Sequence, residues 1–363
     1  MKLFSGFNLG NIELKNRTVM APLTRSRAIN NIPNELMVNY YAQRAAAGLI
    51  ISEGIAPSAN GLGYPRIPGL YNEAQIEGWK KVTAAVHENG GKIFAQLMHT
   101  GRVSHPDNME AGTAVVAPSA IATSGEMYTD AKGPQGYPVP KEMSIEDIEQ
   151  AQNEYVQAAK NAIEAGFDGV EIHGANGYLI DQFINTASNQ RIDNYGGSTD
   201  NRSRFTIEVA QKVVAAIGSE RTGIRLSPYG AFNDMIAFEG IDETFEYLAG
   251  ALGEIGLVYI HLVDHSAMGA PQVPGSIKSK IKAAFGGTII TSGGFDKEKA
   301  ETALQEGEGE LVAFGRPFLA NPDLVYRMKN DIALNDPDFA TFYTPGEKGY
   351  TDYPVAQETS VKS

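Results

Sequence analysis

A (β/α)8 barrel is the fold class that this sequence predicts, and three observations carry the prediction. Short apolar runs alternate with helical periodicity, strand then helix, eight times along the 363 residues. The runs are apolar almost throughout rather than at every second position, as strands buried on both faces are. Polar side chains gather just after the runs, where the C-terminal ends of barrel strands carry chemistry. Length alone would suggest two or three domains, but α/β barrels routinely pass the usual domain size. Residues 1–363 are therefore read as one domain.

Phe4 to Arg17 reads as a hairpin, with Asn8, Gly10 and Asn11 as turn residues, placed to plug the bottom of the barrel. The first strand, Thr18 to Ala21, ends in Pro22-Leu23-Thr24-Arg25. A helix over 34–47 leads to a second strand over 49–52, which ends in Glu53-Gly54. The next helix starts after Asn72 and runs through Trp79 to Val86. The third strand, 92–97, carries Gln96 and ends in Met98-His99-Thr100-Gly101-Arg102. A Gly/Pro/Ser-rich excursion then covers about 100–142. It is expected to cap the barrel, with a hairpin around Ala114-Val115-Val116. Ser144 is an N-cap, with Asp147 three residues on in the capping-box position, and Gly166 stops that helix. The fourth strand lies between Phe167 and Gly174. Apolar spacing at Phe205, Val209, Val213 and Ile217 predicts a helix from Arg204 to Ile217. The last four strands fall at 223–227, 257–263, 288–290 and 311–314. Helices over 242–255, 276–285, 297–305 and 322–329 follow them in turn.

The net charge is −13, from 30 basic and 43 acidic residues, and the isoelectric point is about 5.0. That argues against nucleic acid or an anionic membrane surface as partner, since both need basic patches. No run is long enough to span a bilayer, and the N-terminus MKLFSGFNLGN has no apolar leader core. A soluble cytoplasmic protein, monomer or homodimer, is expected. Cysteine is absent, which excludes disulfides, cysteine-ligated iron–sulfur clusters and thiol catalysis.

The fourth strand empties into the densest chemistry. His173, Asn176 and Tyr178 follow within six residues on a glycine-rich turn with Gly174 and Gly177. A helical turn there would aim His173 and Asn176, three apart, at one point. A structural histidine beside capping or packing residues is the competing reading. Three such groups at one strand end, before a loop too long for a simple connection, favour a site. Two glycine-rich ends, Gly293-Gly294 and Gly315-Arg316, follow strands seven and eight. In this fold those loops commonly hold a phosphate. Arg316 would add a charge-assisted clamp, although ordinary turn glycines remain the alternative. Gln96 and Arg225 are polar residues inside apolar strands. Gln96 offers a donor and an acceptor, which matches an imide edge. A buried Arg faces an anion or electron-rich ring, or else a structural carboxylate. Flavin mononucleotide has all three features: a phosphate tail, an imide edge, and an N1–C2=O side that turns anionic on reduction.

The chain resembles the Old Yellow Enzyme family of FMN-dependent ene-reductases along nearly its whole length. The resemblance rests on His173-Gly-Ala-Asn-Gly-Tyr-Leu, the run Asn189 to Ser198, and Asn201-Arg202. It also rests on Ala21-Pro22-Leu23-Thr24, Gln96 to Arg102, Gly223 to Pro228, Ala313 to Pro317 and Gly349 to Pro354. The resemblance implies that Pro22, Leu23, Thr24, Gly54, Gln96 and Arg225 contact the flavin ring, with Thr24 tuning its potential from near O4. A threonine there resembles the threonine-bearing branch. Gly293, Gly294, Gly315 and Arg316 would bind the phosphate. His173 and Asn176 would grip the substrate's carbonyl oxygen, Tyr178 would donate a proton, and Tyr64 and Tyr343 would line the substrate pocket. Met98 stands where several members carry Trp.

The implied activity is ping-pong reduction of an activated alkene: an α,β-unsaturated carbonyl, a maleimide or a nitroalkene. NADPH or NADH reduces FMN and leaves, and the alkene enters the same place. Two other classes fit parts of the sequence. One is a metal-assisted barrel hydrolase or lyase using His99, His173 and Asp264. The other is a flavin-binding carrier without turnover.

Overall fold

The structure, a computed structural model, describes residues 1–356. Eight parallel strands close a barrel. They are β1 (Thr18–Met20), β2 (Leu49–Ile55), β3 (Ile93–Leu97), β4 (Gly169–Gly174), β5 (Thr222–Leu226), β6 (Tyr259–Leu262), β7 (Thr288–Ser292) and β8 (Leu311–Phe314). Each pairs with its neighbours in chain order, and β8 closes onto β1 with Ala313 opposite Val19. The helices are α1 (Glu35–Gln43), α2 (Glu73–Glu88), α3 (Ile145–Glu164), α4 (Thr199–Ile217), α5 (Ile241–Ile255), α6 (Gly275–Phe285), α7 (Lys297–Glu306) and α8 (Leu324–Lys329). No helix among the described residues is long and apolar enough to cross a membrane.

Local chemistry starts the helices where the sequence places them. Asn34 and Asn72 accept backbone N–H bonds at the heads of α1 and α2. Ser144 and Asp147 form both halves of a capping box on α3. Each such cap contributes about 1 kcal/mol. Apolar burial does the rest. One cluster lies between strands and helices, around Trp79, Tyr155, Phe183, Phe205 and Leu248. A second fills the barrel's lower interior with Val19, Leu49, Phe94, Tyr259, Ile290 and Leu311. Leu9 and Leu14 of the N-terminal hairpin (Phe7–Leu9 and Ile12–Leu14) belong to that second cluster, so the hairpin plugs the bottom as expected.

Three local expectations are corrected. The hairpin of the excursion is not around Ala114-Val115-Val116: Val116–Ala117 pairs in parallel with Lys141–Glu142, and the hairpin is Glu126–Thr129 with Gly133–Gly136. Gly133, with φ 71°, supplies the left-handed turn that apolar Val115 and Val116 lack. The segment after Tyr178 is not all loop, since Leu179–Ile184 forms a short helix buried on every side. Strand β2 runs past Ser52 to Ile55, with a register shift between Ile51 and Gly54. That irregularity breaks the apolar run and so hid the strand's second half.

Three buried arginines tie the C-terminal segment to the barrel mouth. Arg25 and Arg27 donate to the carbonyls of Thr341, Phe342, Lys348 and Gly349. Arg44 donates to the Tyr350 carbonyl at 3.4 Å and to those of Phe318 and Leu319 in the short helix after β8. Tyr350 stacks on Tyr40 at 4.1 Å between ring centres.

Candidate active site

Two adjoining cavities open at the C-terminal mouth of the barrel. The inner one, about 560 Å³, is floored by strand ends and reaches from Gln96 and Arg225 to Gly294 and Arg316. The outer one, about 750 Å³, lies between the Glu126–Gly136 hairpin and the C-terminal segment at Phe339–Pro345. Thr24, Tyr178 and Tyr343 line both.

His173 sits at the end of β4, where it is 3% exposed. Its Nδ1 accepts the Ala175 N–H at 3.3 Å, so the ring proton belongs on Nε2. Burial and the Arg225 guanidinium hold its pKa well below the ordinary histidine value. The residue is a neutral donor. Asn176 does not share a helical turn with it, contrary to the sequence expectation. It lies in a left-handed turn with φ 60°, followed by Gly177 at φ 74°. That turn is held from below. Asn176 N–H donates to Ser227 Oγ at 2.9 Å. Ser227 Oγ donates to Asp181 Oδ2 at 3.1 Å, and the Gly177 N–H donates to the same oxygen at 2.8 Å. The two side chains converge because a strand ends beside a tight turn, and Asn tolerates that conformation better than most residues. Tyr178 meets the His173 ring edge-on at 4.8 Å. Its hydroxyl is 3.0 Å from that of Tyr64. Burial pushes the Tyr178 phenol up to about 12, so it keeps its proton.

Gln96 and Arg225 face the same cavity from the barrel floor. Gln96 Nε2 donates to Glu171 Oε1 at 2.7 Å. The amide oxygen and the second N–H of Nε2 are left over, so donor and acceptor both remain. Glu171 also accepts from Tyr259 at 3.1 Å and from His261 Nδ1 at 2.9 Å. The Glu171 charge acts on Arg225 through space, but among the described residues Arg225 makes no salt bridge, so the direct ion pair weighed for it is not what the structure holds. Arg225 is 7% exposed, and its Nε is buried without a hydrogen-bond partner. An unpaired buried guanidinium at a cavity wall is completed by an electron-rich ligand.

At the far end, Gly294 has φ 70°, and a Cβ on it would lie 2.3 Å from Ala267 Cβ. Gly315 and Arg316 open a short helix, Arg316–Ala320, whose first N–H groups have no intrahelical acceptor. Arg316 is exposed and lies over the Phe339 ring. Pro22, Leu23 and Gly293 complete that side. Glycine backbone beside an arginine, an unpaired guanidinium and an amide thus line one cavity, and the residues present fit FMN.

Gly54 is the exception. It does not line the inner cavity, because Met98 lies over it: a Cβ there would meet the thioether at 2.6 Å. Met98 lines the cavity in its place. Tyr64 lines only the outer cavity, next to Arg66, which donates to Ser26 O and Tyr343 O and pairs with Asp130. The ligand set His99, His173 and Asp264 is not assembled. His99 is buried with its Nδ1 on the Gly101 N–H, and Asp264 pairs with Lys278 at 2.6 Å. No cluster of three or more potential metal ligands is present among the described residues.

Sequence reasoning missed Glu171, His261, Asp181, Ser227 and His265. The criterion that picked Gln96 and Arg225, a polar residue in an apolar strand, would have found Glu171 and His261. Nothing local distinguishes the other three.

Residues 2–335 match the NADH:flavin oxidoreductase / NADH oxidase family. The chain is 43% identical to a probable flavin mononucleotide-dependent alkene reductase of Leishmania infantum, over 95% of each chain. It is 41% identical to rice 12-oxophytodienoate reductase 1, over 99% of this chain and 95% of that one. Among solved structures, morphinone reductase superposes with a TM-score of 0.94 at 42% identity, covering 98% and 96% of the two chains. An Old Yellow Enzyme homologue from Zymomonas mobilis gives 0.93 at 40% identity, covering 98% and 100%. The chain belongs to the NADH:flavin oxidoreductase / NADH oxidase family, that of Old Yellow Enzyme.

Proposed function

We propose that the protein reduces the C=C bond of activated alkenes at FMN held in the inner cavity, with NADPH or NADH as reductant. When bound, FMN supplies the two-electron chemistry, taking hydride from the nicotinamide and passing it to the alkene. The observation that carries the reading is the meeting of His173, Asn176 and Tyr178 at the wall that also holds the unpaired Arg225. His173 Nε2–H and the Asn176 amide bind the substrate's carbonyl or nitro oxygen. They stabilise the negative charge that builds there, and one such donor is worth about 3 kcal/mol, on the order of a hundredfold in rate. Arg225 supplies positive charge at the anionic side of the reduced ring. Thr24 lies where the two cavities meet and tunes the ring electronically. Tyr178 holds its proton up to about pH 12 and gives it to the α-carbon. Reductant and alkene enter the same place, beside His173 and Asn176 where the inner cavity meets the outer, so the kinetics are ping-pong.

One visible spectrum tests this. The purified protein should be yellow with FMN, bleach with anaerobic NAD(P)H, and recover its colour on adding an enone. A yellow protein that NAD(P)H does not bleach is a carrier. A colourless protein after FMN supplementation sinks the reading.

A further inference from the structure

His265 follows β6 by three residues and lies between the two parts of the site. Its Nε2 is 3.0 Å from Asn176 Oδ1. The ring is half-buried, lines the inner cavity, and meets the edge of Phe232 at 4.6 Å. The segment that carries it is pinned at both ends. Asp264 accepts the Ser266 N–H at 2.9 Å and the Lys278 ammonium at 2.6 Å. Ala267 packs so tightly under Gly294 that no Cβ fits between them. His265 thus sits between the Asp264 anchor and the close approach of Ala267 to Gly294.

The consequence concerns which end of an amide faces the substrate. A primary amide is nearly symmetric in shape but opposite in polarity across its two ends. A substrate oxygen needs the N–H end. The opposite orientation would set two oxygens against each other. Asn176's backbone groups are fully engaged: its N–H donates to Ser227 Oγ and its C=O accepts from Asn233 Nδ2 at 2.7 Å. They hold the main chain and leave rotation of the amide free. His265 is the contact on the amide oxygen. We infer that His265 is a positioning residue that donates from Nε2 to Asn176 Oδ1 and so turns the Asn176 amide N–H toward the substrate's oxygen. Burial and the Arg225 charge push the imidazole pKa down to about 4. The ring is thus neutral, with one N–H to give, across the working pH range. This rests on the substrate grip proposed above.

The test is a titration of FMN-loaded protein with a para-substituted phenol, whose oxygen mimics the enolate and whose ring gives a long-wavelength band on oxidised FMN. His265→Phe keeps the aromatic volume against Phe232 and loses the donor. It should retain FMN and bind phenol about threefold to tenfold more weakly, the worth of one hydrogen bond. His265→Gln, which restores a donor, should recover most of that loss. In an Asn176→Ala background, His265→Phe should have no further effect, because the amide it positions is gone. Wild-type phenol affinity in His265→Phe, while Asn176→Ala is impaired, overturns this inference alone. An additive loss in the double variant also overturns it, since His265 would then act on the phenol by itself. Loss of FMN in both His265→Phe and His265→Gln overturns it as well, by making His265 part of the cofactor seat. Wild-type affinity in Asn176→Ala overturns the grip itself, and this inference with it.

Discussion

At the β7–β8 end of the inner cavity the surface is glycine backbone, at Gly293–Gly294 and Gly315, whereas at the β4 end it is side chains: His173, Asn176 and Tyr178. In the proposed function the first end works by letting a ligand approach the main chain, and its failure mode is steric. The second works by aiming donors, and its failure mode is chemical. A backbone-built seat tolerates almost no added atom. A side-chain-built grip tolerates truncation structurally and loses function in graded steps. The supports differ too. The glycine end leans on one tight contact, Gly294 against Ala267. The β4 end leans on a chain of hydrogen bonds through Ser227, Asp181 and His265.

The sharpest way to break this contrast is Gly294→Val. The new Cβ starts 2.3 Å from Ala267 Cβ at a backbone φ of 70°, so the loop must move. FMN should be lost while the far-UV spectrum of the barrel stays. A variant that purifies yellow with unchanged FMN affinity would end the backbone-seat account.

Tyr178→Phe comes next. It keeps the ring against His173 and removes the proton, which should cost on the order of a hundredfold in turnover of enones. Nitroalkenes should be partly spared, because a nitronate can leave and be protonated in water. Equal losses for both substrate types, measured by steady-state kinetics, would remove Tyr178 from the proton path.

His173→Ala should slow the alkene half-reaction by up to about a hundredfold, with FMN retained. The pH behaviour sharpens this. His173 is held neutral by burial, and Tyr178 titrates only near 12. Phenol affinity should therefore follow the phenol's own ionisation, apart from a step near pH 6 from Asp181, whose carboxyl under the Asn176 turn is pushed up to about 6 by burial. A step that persists near the ordinary histidine value in Asp181→Asn would show that His173 is protonated in the site.

Arg316→Ala should have the smallest effect. The side chain is exposed, so its phosphate contact is screened, and FMN affinity should fall by about tenfold or less. A larger loss would mean that the seat depends on side-chain charge after all.

The fold and the outline of the site follow from the sequence for one physical reason: both rest on local pattern. Strands covered on two faces must be apolar along their length, so an interruption such as Gln96 or Arg225 stands out. Tight backbone approach needs glycine, so Gly293-Gly294 and Gly315 are visible as letters. Asn34, Asn72 and Ser144 cap their own helices within three residues. What depends on neighbours distant in sequence could not be read that way. Met98 covering Gly54, Glu171 accepting from Gln96, and Ser227 holding the Asn176 turn are contacts between different strands and their ends. So is His265 on Asn176, 89 residues apart. An amide's orientation and a histidine's tautomer are set by whichever partner the barrel brings within hydrogen-bond reach. Closing eight strands into a ring decides that, and no window of sequence contains it.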